Sequence, residues 1–258
     1  MARAGATLSG VTNERDGLAF GIDIGGSGMK AAIVDLATGE LVSDRYRIDT
    51  PQPATPAAMA EVVAELVEHH EWTGTVGCAF PAVVRNGVVG SAANIDDSWL
   101  EVDADKLFTE ALSAQVHMIN DADAAGLAEV RYGVARDRAG VVMMLTFGTG
   151  IGSGLFIDGV LVPNTELGHL ELDGYGAESR AAASAKKRDD LSWDQWGQRV
   201  DRYLGHVERL FSPDLFVIGG GASKRTGKWL GQVSISTEIV AASMENNAGI
   251  VGAALIAP

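Results

Sequence analysis

A single cysteine, Cys78, in 258 residues rules out an internal disulfide and a cysteine-rich zinc site. Aromatic residues are sparse at 6%, and positive charge is scarce: 20 Lys+Arg stand against 34 Asp+Glu, a formal charge of −14. That sign opposes general nucleic-acid binding, whose driving term is attraction to phosphates. No apolar run approaches the ~20 residues needed to cross a bilayer. Residues 1–17 lack the apolar centre of a secretory signal, so they read as a flexible polar tail on a cytoplasmic protein. What is present is 47% apolar residues, enough to build the core of one or two domains. Glycine is abundant, with 32 copies, and its placement carries most of the information.

Leu18–Ile22 is an apolar run ending at Asp23. Gly25-Gly26-Ser27-Gly28 follows, then a second run, Met29–Val34. With Leu41–Ile48 these predict an antiparallel three-stranded opening. Thr50-Pro51-Gln52-Pro53-Ala54-Thr55-Pro56 breaks it, and Thr55 can cap a helix with Pro56 at its first position. That helix runs to about His70. Thr75–Phe80 predicts a strand, Asn86-Gly87 a hairpin turn, Lys106–Ala114 a helix, Val116–Ile119 a strand and Ala122–Tyr132 a helix. The second half opens as the first does: Gly140–Leu145, a glycine-rich turn from Thr146 to Gly154, then a hairpin through Asp158-Gly159. Helices are expected over 177–187, 192–211 and 245–256, with a strand over 214–218. The repeated strand–turn–strand pattern predicts an α/β protein of two similar lobes around a central cleft. Residues 18–120 plus the last helix, 245–256, make the N-terminal lobe, and 121–244 the C-terminal one.

Three glycine turns follow strands: one spans Asp23, Gly25, Gly26 and Ser27, the next Thr146, Gly148, Thr149 and Gly150, and the last Gly219, Gly220 and Gly221. Glycine lets backbone N–H groups approach an anion closely. Each turn can be a tight hairpin, but three together favour phosphate binding. Neither the P-loop nor the dinucleotide fingerprint fits, because no helix follows directly. Asp23 can hold Mg²⁺ through water or serve as an Asx-turn residue. Lys30, one hairpin turn away, can contact phosphate or be a surface charge, and the second reading is preferred. Asp121, beside Asn120 at a strand–helix junction, is either a helix cap or a general base. Glu166 and His169 flank Gly168 and can ligate a metal, bind sugar hydroxyls or be ordinary loop polarity. Ten of the 20 basic residues lie between Arg180 and Lys228, against six acidic ones. Such a strip is usually a solvated face, yet it can also guide a polyanion.

Taken together, Asp23-Ile24-Gly25-Gly26-Ser27, Asn120-Asp121, Leu145–Gly150, Glu166-Leu167-Gly168-His169 and Gly219-Gly220-Gly221 resemble the ROK family of sugar kinases, with the actin-like ATPase (ribonuclease H-like) fold. The Thr50–Pro56 segment and Pro163-Asn164-Thr165-Glu166 resemble its actinobacterial polyphosphate glucokinase branch, which includes glucomannokinases. The resemblance implies phosphoryl transfer from inorganic polyphosphate or ATP, with Mg²⁺, to the 6-hydroxyl of glucose and also mannose. It makes Asp121 the catalytic base and Asn120, Glu166, His169 and Glu178 sugar-binding residues. The first two glycine turns become phosphate loops and Gly219–Gly221 the loop beside adenosine. A polyphosphate tail is expected over Lys186, Lys187, Arg188, Lys224, Arg225 or Lys228. A homodimer is a family-level expectation. The family's cysteine motif is missing: Glu171–Glu178 holds no cysteine, so structural zinc is not expected. Two alternatives are a kinase for another hexose or N-acetylhexosamine, and a sugar-sensing regulator, for which the residues before Leu18 are too few to form a DNA-binding domain.

Overall fold

The computed structural model describes residues 17–92 and 95–258; of the expected tail, only Gly17 falls within them. The first sheet comprises β1 (Leu18–Ile24), β2 (Met29–Asp35), β3 (Tyr46–Ile48), β4 (Val76–Phe80) and β7 (Val116–Asn120). Helix α1 (Pro56–His69), the hairpin β5 (Val84–Arg85) and β6 (Val88–Val89), and helix α2 (Ala104–Leu112) belong to the same half. Thr55 caps α1 by accepting the Ala58 N–H, with Pro56 at the first position. The β5–β6 turn has φ of 52° at Asn86 and 81° at Gly87, the left-handed pair that an Asn-Gly hairpin supplies.

Helix α3 (Asp121–Arg131) leads into the second sheet: β8 (Val141–Phe147), β9 (Ile151–Ile157), β10 (Val160–Val162), β13 (Leu215–Gly220) and β14 (Glu238–Ala241). Between β10 and β13 lie the small hairpin β11 (Glu171–Leu172) and β12 (Tyr175–Gly176), then helices α4 (Glu178–Ala181), α5 (Ala183–Arg188) and α6 (Trp193–Phe211). Helix α7 (Ala248–Leu255) closes the chain.

The sheets have the same plan. The first runs β3-β2-β1-β4-β7 and the second β10-β9-β8-β13-β14. In each, the three opening strands are antiparallel and the last two join in parallel. Helix α3, which follows the last strand of the first sheet, packs on β8 and β9 of the second. Helix α7, which follows the last strand of the second sheet, packs on β1 and β4 of the first. The two exchanged helices also pack on each other. Glycine permits this closeness: a Cβ at Gly21 would lie 1.9 Å from the Ile250 carbonyl oxygen, and one at Gly252 1.8 Å from that of Ala124.

Each lobe has its own apolar core, around Phe20, Phe80, Trp99 and Phe108 in one and Phe147, Trp196, Tyr203 and Trp229 in the other. A third cluster around Val142, Phe156, Ile250 and Val251 fills the seam.

Several expected elements differ. Leu41–Ile48 is a strand only over Tyr46–Ile48, with an isolated bridge at Leu41. Here the Ser43 hydroxyl accepts the Ile33 N–H at 2.9 Å, taking a partner the ladder would have used. The single helix expected over 177–187 is broken at Ala182, whose φ and ψ are −62° and 157°. The buried Trp196 indole N–H reaches the carbonyls of Ala181 and Ala182 at 3.0 and 3.1 Å, so tertiary contact there outweighs alanine's helix preference. Strand β14 was not expected at all.

Candidate active site

A cavity of about 700 Å³ runs between the two sheets. At its floor, β7 ends at Asn120 and α3 begins at Asp121. Asn120 is the helix cap: its Oδ1 accepts the N–H groups of Ala122 and Asp123 at 2.9 and 3.1 Å, while its Nδ2 donates to Ala82 O. The capping role is thus filled without Asp121, whose Oδ1 accepts the Ala122 N–H at 2.8 Å and, among the described residues, no other donor. The Asp121 carboxylate therefore lines the cavity.

Two effects compete at Asp121. Cleft solvent reaches it, but it lies at the base of a cleft with protein packed around it. Enclosure wins and raises its pKa to about 7; the nearby charge of Asp23 adds to the rise, the Ala122 N–H opposes it, and Glu166 and Asp123 add smaller increments. A base matched to neutral pH is the state that proton abstraction from an alcohol needs.

One wall carries the first glycine turn. Its backbone closes through Gly25 N–H to Gly28 O at 3.1 Å, and the Thr50 hydroxyl donates to Gly25 O. That bond ties the proline-rich segment to the turn. Because β1 pairs with β2 antiparallel, Asp23 stands opposite Lys30, and their side chains form an ion pair at 3.1 Å. Both line the cavity. The facing wall carries the second turn, closed by Gly148 N–H to Gly150 O at 3.0 Å. Ser184 at the start of α5 holds it, through its N–H to Gly148 O at 3.0 Å and its hydroxyl to Thr149 O at 2.6 Å.

At one end a single imidazole stands between two carboxylates. His169 Nε2 is 3.7 Å from Glu166 Oε2, and His169 Nδ1 is 3.7 Å from Glu178 Oε1. Glu178 is fixed by the Ile151 N–H at 3.1 Å. Gly168 lies against the Ile151 carbonyl, 2.3 Å from where a Cβ would stand, so only glycine lets this loop close. Burial raises the Glu166 pKa, His169 lowers it and Glu178 raises it. Three side chains that accept or exchange hydroxyl protons, beside a base, suit a polyol.

Comparison with known proteins gives the lineage. The model of the ROK family matches residues 19–184. The chain is 50% identical over 247 residues to a polyphosphate glucokinase of Mycobacterium tuberculosis (strain CDC 1551 / Oshkosh), covering 95% of this chain and 92% of that protein. This chain belongs to the ROK family. Its fold is similar to the crystal structure of the inorganic polyphosphate/ATP-glucomannokinase from Arthrobacter sp. strain KM, at TM-score 0.89 and 52% identity, over 92% of this chain and 97% of that one. A ROK family glucokinase from Streptomyces griseus, solved with glucose and AMPPNP, shares the fold at TM-score 0.79 and 23% identity, over 93% and 99% of the two chains.

In this ROK chain the cavity brings together most of the expected residues. Asp23, Gly25, Gly26 and Ser27 line it, as do Thr146, Gly148, Thr149 and Gly150, then Asn120, Asp121, Glu166, His169 and Glu178, and at the far end Gly219, Gly220 and Lys224. Gly221 does not line it, nor do Lys186, Lys187, Arg188, Arg225 and Lys228. Lys186 is occupied elsewhere, donating to Leu191 O at 2.7 Å and lying over the Trp193 ring. Arg188 is paired with Asp189. The stretch 171–178, which holds no cysteine, forms the β11–β12 hairpin and enters α4.

Lys30 corrects the sequence reading: it is a cavity cation and not a free surface charge. Hairpin arithmetic held the signal, since a turn at 25–28 sets residue 23 opposite residue 30. Ser153 was missed. It is 3% exposed, donates to Thr165 O at 2.6 Å and accepts the Leu167 N–H at 3.0 Å, clamping the loop that presents Glu166. Asn164 was missed as a structural residue. Its side chain bonds both backbone groups of Val84 in the other lobe at 2.9 and 2.8 Å, and its N–H donates to Asp123 Oδ2 at 2.7 Å.

Proposed function

We propose that this protein transfers a phosphoryl group from inorganic polyphosphate or ATP to the 6-hydroxyl of glucose, and to mannose as a second acceptor. The observation that carries the reading is the meeting of Asp121, two glycine turns and the Glu166–His169–Glu178 group in one cavity between lobes. The 50% identity to a polyphosphate glucokinase supports the donor and acceptor classes.

In this reading Glu166, His169 and Glu178 hold the sugar's hydroxyls and set its reacting oxygen against Asp121. The aspartate takes the proton as that oxygen attacks phosphorus in line. Backbone N–H groups of the two turns and the Lys30 ammonium meet the charge on the donor phosphates. Positioning and electrostatics then supply most of the acceleration. Closure of the lobes excludes water, which would otherwise act as the acceptor.

Asp23 brings a carboxylate to the cavity beside the first glycine turn, a donor that fits Mg²⁺ arriving with phosphates and water. Among the described residues, no three His, Cys, Asp or Glu side chains form a metal cage, so the ion would be carried in with the donor and held by Asp23. Once bound it would neutralise charge on the phosphoryl oxygens. Action in the cytoplasm, as a homodimer, completes the proposal.

The test is a matrix of polyphosphate, ATP and GTP against glucose, mannose, fructose and N-acetylglucosamine, with gel filtration of the purified protein. Sugar phosphate should form from glucose and mannose with polyphosphate and with ATP. Absence of transfer to glucose from either donor, or preference for an N-acetylated sugar, overturns the proposal.

A further inference from the structure

The end of the cavity remote from His169 is built by the loops that follow β13 and β14, neighbouring parallel strands. Ligands of α/β sheets meet this kind of edge, beyond the carboxyl ends of strands. Two opposite charges line the cavity there. Lys224 Nζ forms an ion pair with Glu245 Oε2 at 3.0 Å. Lys224 lies just past Gly219-Gly220-Gly221; Glu245 opens the turn into α7.

Glu245 is held there by construction. Its φ is +47°, a left-handed conformation uncommon outside glycine, Asn and Asp. The preceding segment is anchored by the Glu129 carboxylate of α3, which is 1% exposed. Glu129 accepts the Met244 N–H at 2.7 Å and the Ser243 hydroxyl at 3.0 Å. Four residues on from Glu245, Gly249 packs against Asp23, whose Cγ would lie 2.7 Å from a Cβ there. Asp23, Gly249 and Glu245 thus line one continuous cavity.

Both candidate donors present the same terminal phosphates to Asp23 and the glycine turns, and they differ beyond them. ATP ends in a neutral ribose and base, whose hydroxyls a carboxylate can accept. Polyphosphate continues as an anion, which a carboxylate repels and an ammonium attracts. We propose that the Lys224–Glu245 pair selects between the two donors: Glu245 disfavours a continuing polyanion, and Lys224, once released from Glu245, receives it. This rests on the donor assignment above and extends it to a specificity determinant.

The experiment measures kcat and KM for ATP and for long-chain polyphosphate at saturating glucose, in wild type, Glu245→Gln, Lys224→Met and the double variant. Circular dichroism and the glucose-induced Tm shift serve as folding controls. Glu245→Gln should raise the polyphosphate-to-ATP ratio of kcat/KM roughly fivefold, as expected from removing one repulsive charge at partly solvated range. The change should fall on KM for polyphosphate and shrink at high salt. Lys224→Met should lower the same ratio, and the double variant should not show the Glu245→Gln gain in full. Ratios unchanged in both single variants, or shifted equally for both donors, overturn the selector, as does a wild type that accepts only one donor. A wild type that transfers from neither donor refutes the kinase assignment instead.

Discussion

Asp121 is surrounded by groups that would rather it were neutral. Enclosure, Asp23, Glu166 and Asp123 all favour its protonated form, and one backbone N–H opposes them. The folded pKa of about 7 stands above the ordinary value of 3.8. Between these values the folded state keeps a proton that the unfolded chain has released. Folding stability contributed by this group is therefore present at low pH and is lost as pH rises through about 7. Two outcomes follow for Asp121→Asn. Transfer to glucose should fall by roughly 10²–10⁴-fold, the usual worth of a general base, and the acid limb of the wild-type kcat/KM profile, centred near pH 7, should vanish. The same variant should melt higher than wild type at about pH 8 and match it near pH 4, measured by calorimetry. A variant that keeps substantial turnover, or that melts lower at high pH, removes Asp121 from this role.

Among elements, the repeated strand–turn–strand units were legible because they rest on local chemistry: apolar runs, glycine turns, and Asn86-Gly87 at the β5–β6 turn. So was the α1 start at Thr55-Pro56. What was not legible depends on distant partners. The break at Ala182 is set by an indole 14 residues away, and β14 is a short strand, half-exposed along its length, that gains its pairing only from β13. Site residues split the same way. Asp121, Glu166 and His169 sit in short local motifs and were candidates whose roles the family resemblance supplied, whereas Asn164 matters through Val84, 80 residues distant. Asn164→Ala should loosen the loop that presents Glu166 without touching sugar itself. The expected result is a KM for glucose raised about tenfold with a smaller change in kcat. Asn164→Asp, which keeps the acceptor for the Val84 N–H but loses the donor to its carbonyl, should fall between. Equal KM values in all three proteins would show that the strut has no part in sugar binding.

At the scale of the whole molecule, the exchange of α3 and α7 decides how the chain comes apart. Each sheet is covered on one face by the helix that the other sheet's last strand delivers. Neither half of the sequence contains all of its own lobe's packing, and the third apolar cluster draws on both sheets and both helices. The two lobes should therefore unfold together: one calorimetric transition, with van't Hoff and calorimetric enthalpies equal, despite a cleft that could suggest two. The contact that makes this sensitive is Gly252, where a Cβ would stand 1.8 Å from the Ala124 carbonyl oxygen. Gly252→Ala forces α7 and α3 apart, and overpacking of this kind costs about 1–3 kcal/mol. For a chain of this length each kcal/mol shifts Tm by roughly 2–4 °C, so a fall of roughly 2–12 °C is expected. Because the seam is shared, the variant's melt should move as a whole. A profile that splits into two transitions, one of them at the wild-type temperature, would mean that the lobes are independent and that α7 serves only the sheet it covers.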